Sequence, residues 1–238
     1  MSGQISSSEK QTRKALQYAP AAEGARDVLL DAVMDEEDAN RLILSNAYFF
    51  DAPRAAVRRG ILHPFAAERI AQIRKLFPDD EIKMFMALRY LAPLLPEMFE
   101  HSPKPSMTSY LGVDEPCDIC WSDTIHVIRN AVPHLTITVW CNEDTQLLWP
   151  QIVHKLAGLE LSREILDEFD LLNKNMSKEG MQRFAAYLKL HPVMTKILKR
   201  RVIFALLNEF ALEEKIEEEL TLAGWTKDLM DDMTDVCE

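Results

Sequence analysis

The sequence predicts an α/β protein: a parallel sheet with flanking helices, followed by a helical C-terminal region. Three observations carry that expectation. Ile82-Lys-Met-Phe-Met-Ala-Leu-Arg89 follows a Pro-Asp-Asp turn and is nearly continuously apolar, as a buried parallel strand is. Leu135-Thr-Ile-Thr-Val-Trp140 alternates β-branched residues and reads as another strand. From Gln146 onward only helical spacing recurs.

The elements follow in order. Residues 1–25 are small and polar and form no convincing element, whereas Asp27–Met34 has helical spacing and leads into the acidic turn Asp35–Asp38. Arg41-Leu-Ile-Leu-Ser45 has the length of a short strand. Pro64 opens an amphipathic helix that buries Phe65, Ile70, Ile73 and Phe77 or their neighbours and stops at Pro78. Strand, helix and the Arg89 strand then form a right-handed βαβ unit. A proline-rich passage (Pro93, Pro96, Pro103, Pro105) precedes a helix around Ile119–Ala131 and the strand ending at Trp140.

Helices are expected over Gln146–Ala157, from an N-cap at Ser177 to about Leu190, and over Thr195–Leu212. Ile197, Val202, Phe204, Leu206, Leu207 and Phe210 form the apolar face of the last of these, and Glu213–Glu219 continues it. A final short helix runs from Trp225 to Val236. The organisation is therefore an N-terminal segment (1–25), an α/β core (26–158) and a helical region with an acidic tail (159–238). Three strands make a thin sheet, and a further strand and helix are expected before residue 25.

Composition bounds the function. The net charge is −11, and 47% of residues are hydrophobic. From Val202 to Glu238 there are eleven acidic residues against two lysines, or −9, so the acidity belongs to the tail. That balance argues against nucleic acid or an anionic membrane as a partner. There is no apolar run of membrane-spanning length and no secretory signal pattern, so the default location is cytoplasmic.

The chemistry-bearing residues are few. The seven glycines are isolated, with no phosphate-cradling motif of either the Walker or the dinucleotide type. Cys117-Asp-Ile-Cys120 has zinc-ligand spacing but no second ligand pair, so buried or incidental cysteines are the simpler account. Six scattered histidines match no catalytic pattern; His63 and His191 precede prolines and belong at element ends. Glu143 and Asp144 follow a strand and either serve acid–base chemistry or cap the next helix, the cap being favoured. Lys199-Arg-Arg201 is read as pairing with the acidic segment after it. Arg89, at the carboxyl edge of a sheet, stands where anions are bound.

Several runs together resemble a sulfotransferase-like group of hypothetical proteins from marine alphaproteobacteria. They are Asp27–Met34, Leu42–Asn46, Leu76–Ile82 through Leu88-Arg89, Trp121-Ser-Asp, Thr138–Thr145, Phe169–Leu172, Met176–Phe184 and His191-Pro192. The resemblance implies a P-loop-related three-layer α/β/α fold. Working members of the wider sulfotransferase family hold the donor, 3′-phosphoadenosine 5′-phosphosulfate, by a glycine-containing loop after the first strand. An arginine ending a later strand and a serine about two helical turns beyond it hold the 3′-phosphate, and Arg89 matches that arginine.

The chain departs from this pattern. The group reads Leu-Arg-Asn-Pro where this sequence has Leu88-Arg89-Tyr90-Leu91, and the serine position eight residues after Arg89 is Glu97. A carboxylate there repels a phosphate and is expected to pair with Arg89. The comparison also implies that the sequence starts after the donor loop and stops before a further C-terminal segment. The expectation is a sulfotransferase-like protein without transferase activity and without a cofactor, acting through self-association or a protein partner. The alternative is a transferase that uses the same donor on a hydroxylated, glycan-like acceptor, with Arg89 on the phosphate and His63 or Glu143 as base.

Overall fold

The computed structural model describes residues 22–33, 40–160, 163, 165, 166, 168–212, 226, 228, 229 and 233. Expectations for 1–21 and 213–219, and for most of 225–236, lie outside the described residues. By its internal contacts the chain divides into two compact units. The first holds the described residues up to Met86, then Tyr90–Thr138, and those of the stretch 223–238; the second holds Ala87–Arg89 and Val139–Leu222.

The first unit opens with α1 (Ala22–Val33), which buries Leu29. A two-stranded antiparallel hairpin follows, β1 (Val57–Arg58) and β2 (Ile61–Leu62), in the register Val57 to Leu62 and Arg58 to Ile61. Next come α2 (Ala66–Leu76), β3 (Lys83–Leu88), α3 (Leu91–Glu100), α4 (Met107–Leu111) and α5 (Trp121–Ala131). Arg26 of α1 reaches Asp80 at 3.4 Å and lies over the Phe77 ring. Arg74 donates to the carbonyls of Pro78 and Asp80, which fixes the turn that delivers β3. The core of this unit gathers Val57, Leu62, Leu91, Leu95, Tyr110 and Ile119, joined by Met233 near the C-terminus.

In the second unit β4 (Thr136–Cys141) leads into α6 (Thr145–Ala157), α7 (Asp170–Asn175), α8 (Lys178–Leu190) and α9 (Lys196–Phe210). Its core is Leu172, Met176, Phe184 and Ile203. Ser177 and Thr195 cap α8 and α9, accepting from the amides of Gly180 and Leu198, as Ser and Thr do at helix starts. β3 and β4 pair as a small parallel sheet flanked by helices, so the α/β class read from the sequence is present.

Several expectations are corrected. Arg41–Ser45 forms neither strand nor helix, Ile43 and Leu44 are exposed, and among the described residues no strand pairs with it. The strand–helix–strand unit before Arg89 therefore does not form, and the parallel pair is instead β3 with β4, separated by α3, α4 and α5. The helix after Pro64 begins at Ala66 and buries Ala66, Ile70 and Ile73, with Phe77 buried at its end, while Phe65, in the N-cap position, is 39% exposed. The proline-rich passage contains a helix, α3. Pro93 sits in its first turn, where the missing N–H has no intrahelical partner to lose, and only Pro96 is interior. On α9 the buried residue is Ile203, while Ile197 and Phe204 face outward. Lys199 pairs with the upstream Glu168 at 3.3 Å, whereas the acidic segment after α9 lies outside the described residues.

Candidate functional site

His63 is held by the hairpin that precedes it. The two-residue turn Arg59–Gly60 has positive φ at both positions (53° and 74°), the geometry whose twist matches paired strands. The turn is clamped from outside: Gly60 donates to the Leu111 carbonyl at 2.8 Å. A Cβ on Gly112 would stand 3.0 Å from the Arg59 Cα, so the close approach requires glycine there. The ladder extends one residue further, with the His63 amide donating to the Ala56 carbonyl at 2.6 Å.

Beyond that bond the backbone turns sharply. His63 has φ 50°, a left-handed conformation that few non-glycine residues adopt, and the next residue is proline, which biases its predecessor toward extended backbone. Buried Thr124 on α5 donates its hydroxyl to the Leu62 carbonyl at 2.8 Å, tying the helix to the end of β2. One turn earlier on α5, the Trp121 ring lies 5.5 Å from the His63 ring. Phe50 contacts the imidazole at the same centroid distance.

Asp51, next to Phe50, completes the cluster. Its Oδ2 lies 3.7 Å from His63 Nδ1, and the two side chains are only 6% and 11% exposed. Neither atom has a hydrogen-bond partner. Burial pushes the Asp51 carboxyl up to about 6, partly offset by the Arg69 guanidinium on α2. Burial alone pulls the His63 imidazole down to about 4. At neutral pH the contact is therefore between an ionised carboxylate and a neutral ring, not a salt bridge. Between about pH 4 and 6 the pair holds a single proton.

Arg89 and Glu143 sit elsewhere. Arg89 immediately follows β3, and Glu143 lies in the short 3₁₀ turn Asn142–Asp144 that follows β4. The structure thus places both at the carboxyl ends of paired parallel strands, while His63 belongs to the other unit. Cys141, the last residue of β4, is exposed, and burial together with Asp144 and Glu143 raises its thiol, which disfavours the thiolate. Asp144 stands at the N-cap position of α6 with φ −86° and ψ 0°, already helical, and makes no side-chain cap bond, so what it brings to the helix start is its charge. Thr145 instead accepts from the Trp140 indole at 3.0 Å. Glu97 is exposed on α3, and its carbonyl accepts from His101.

The remaining candidates are structural. Cys117 packs against the core of the first unit, and Cys120 Sγ lies 2.9 Å from Ser122 Oγ at the start of α5. Both ring nitrogens of buried His154 meet carbonyls, of Pro150 at 2.6 Å and Arg163 at 2.7 Å, joining α6 to the chain after it. His191 ends α8, as its proline neighbour suggested. Among the described residues no group of three or more His, Cys, Asp or Glu gathers to hold a metal. Sequence reasoning singled out His63 but missed Asp51, Phe50 and Trp121; the available signal was a carboxylate directly after two phenylalanines.

No family model matches this chain, and no curated protein or solved structure is significantly similar to it. No helix among the described residues is long and apolar enough to cross a membrane.

Proposed function

We propose that this chain is a sulfotransferase-like, three-layer α/β/α protein that binds rather than transfers, with Arg89 the remnant of a donor-phosphate site. The observation that carries the reading is the segment after Arg89. The helix that opens there has Tyr90 at its N-cap, no glycine, and a proline in its third position, so one of its first amides is missing. Exposed Glu97 adds a carboxylate where a phosphate-binding hydroxyl is expected from the resemblance. A cytoplasmic location and action through another copy or a protein partner belong to the same reading.

Calorimetry with adenosine 3′,5′-bisphosphate tests it. The expected result is no micromolar binding, with Arg89→Ala indistinguishable from the unaltered chain. Micromolar binding that Arg89→Ala abolishes overturns the reading.

One observation favours a second reading, that of an active sulfotransferase. Arg89 and Glu143 share the carboxyl edge of a parallel strand pair, where α/β sheets bind ligands. In that case Arg89 holds the 3′-phosphate of 3′-phosphoadenosine 5′-phosphosulfate, and Glu143 takes the proton from a glycan-like hydroxyl. Sulfated product from that donor, lost in Arg89→Ala, selects this reading over the first.

A further inference from the structure

We propose that Asp51 and His63 form a proton-accepting pair, in which the carboxylate positions the imidazole so that Nε2 takes a proton from a hydroxyl- or thiol-bearing ligand. The proposal stands apart from the Arg89 edge and survives whichever reading holds there.

Four observations converge on it. Nδ1 of His63 faces Asp51 Oδ2 at 3.7 Å, and both atoms are buried without a hydrogen-bond partner. Buried polar atoms in native proteins are nearly always satisfied, so two facing orphans call for a reason beyond packing. Phe50 and Trp121 each lie 5.5 Å from the ring, and Asp51 occupies the Nδ1 edge. None of these groups takes the edge bearing Nε2, where the 11% of the side chain still exposed would let a small ligand approach. Finally, the left-handed backbone at His63 is strain that the hairpin and α5 maintain, and such strain gathers at functional positions.

The contrast with His154 is instructive. There both ring nitrogens lie within hydrogen-bonding distance of carbonyls, so the ring ties α6 to the chain after it. His63 has no such bond, and what faces it is a carboxylate. Asp51 is itself 6% exposed, and the Arg69 guanidinium favours its ionised form.

The chemistry is a simple proton transfer. The ligand's O–H or S–H bond breaks, its electron pair stays on the oxygen or sulfur, and the proton passes to Nε2. The Asp51 carboxylate, 3.7 Å from Nδ1, then balances the imidazolium that burial alone disfavours. Asp51 is a positioning residue: it selects the tautomer with hydrogen on Nδ1 and the lone pair on Nε2.

Nitrogen-15 NMR of the histidine rings in the full chain, at about pH 7.5, reads the tautomer directly. The expected state of His63 is Nδ1–H with Nε2 unprotonated; a wild-type ring with hydrogen on Nε2 overturns the proposal without any variant being needed. The second measurement is acylation by diethyl pyrocarbonate, followed residue by residue by peptide mass spectrometry. His63 is expected to react, and Asp51→Asn to slow that reaction by about ten-fold or more, since asparagine can hold the opposite tautomer. An inert His63, or an equal rate in Asp51→Asn, overturns it.

Discussion

At the residue scale, the Asp51–His63 pair makes a prediction whose sign can be worked out. The imidazole is lowered from 6.5 to about 4, so the unfolded chain binds its proton more tightly, and stability falls as pH drops through that window. The carboxyl is raised from 3.8 to about 6, so the folded chain binds its proton more tightly, and stability falls as pH rises through that window. Between about pH 4 and 6 the two slopes oppose each other and the wild type is nearly flat from this source. Asp51→Asn removes one slope and leaves the other: urea-melt stability then rises from pH 4 to 6.5 by on the order of 2 kcal/mol. His63→Gln gives the mirror image, falling between pH 4 and 6. Equal pH profiles in all three proteins would mean that burial does not perturb the pair.

At the scale of elements, the joint between α8 and α9 rests on a glycine. The start of α8 is zipped to the end of α9 by backbone bonds, Ser177 N to Phe210 O at 2.8 Å and Leu212 N to Asn175 O at 2.9 Å. Gly180 lies at this joint, where an added Cβ would stand 2.6 Å from both Met176 Cγ and Phe210 Cβ. The methionine can move, but the phenylalanine Cβ is fixed to the backbone of α9. Alanine ordinarily gains up to about 1 kcal/mol over glycine inside a helix. Overpacking costs about 1–3 kcal/mol, so Gly180→Ala is expected to lower stability by about 1–2 kcal/mol in urea melts. An unchanged or raised midpoint would show that α9 yields there.

The same scale explains what the sequence revealed. α8 and β3 were legible because their signals are local: a serine cap at one, a proline-delimited apolar run at the other. Arg41–Ser45 misled because a strand is a pairing, and five apolar-centred residues cannot announce whether a partner lies beside them. α3 was hidden by its prolines, although a proline in the first turn of a helix breaks no bond. On α9 the apolar residues surround much of the helix, so spacing alone could not choose Ile203 over Ile197 and Phe204. His63 was visible as a histidine before a proline, but its partner comes from a separate loop, and its left-handed backbone depends on the hairpin clamp.

At the scale of the whole molecule, association is set by two opposing terms. The parallel sheet among the described residues is the β3–β4 pair alone, so neither of its strands has a second neighbour there, and unpaired edges invite pairing between copies. Val139 on β4 is 45% exposed, which leaves an apolar side chain for such a contact. Against this stands a net charge of −11 on every copy. Copies repel at low ionic strength, and that repulsion is screened as the Debye length shrinks from about 10 Å at 0.1 M salt to about 3 Å at 1 M. Light scattering is therefore expected to show association that grows with both concentration and salt, the opposite of a charge-driven complex. Val139→Lys, which places a cation on the strand, should suppress that growth without lowering the melting temperature, because the side chain is not part of a buried core. A particle that stays monomeric at every concentration and salt, with an ordinary melt, means that the strands are covered within one chain. Association that weakens with salt assigns the contact to the acidic tail and basic partners instead.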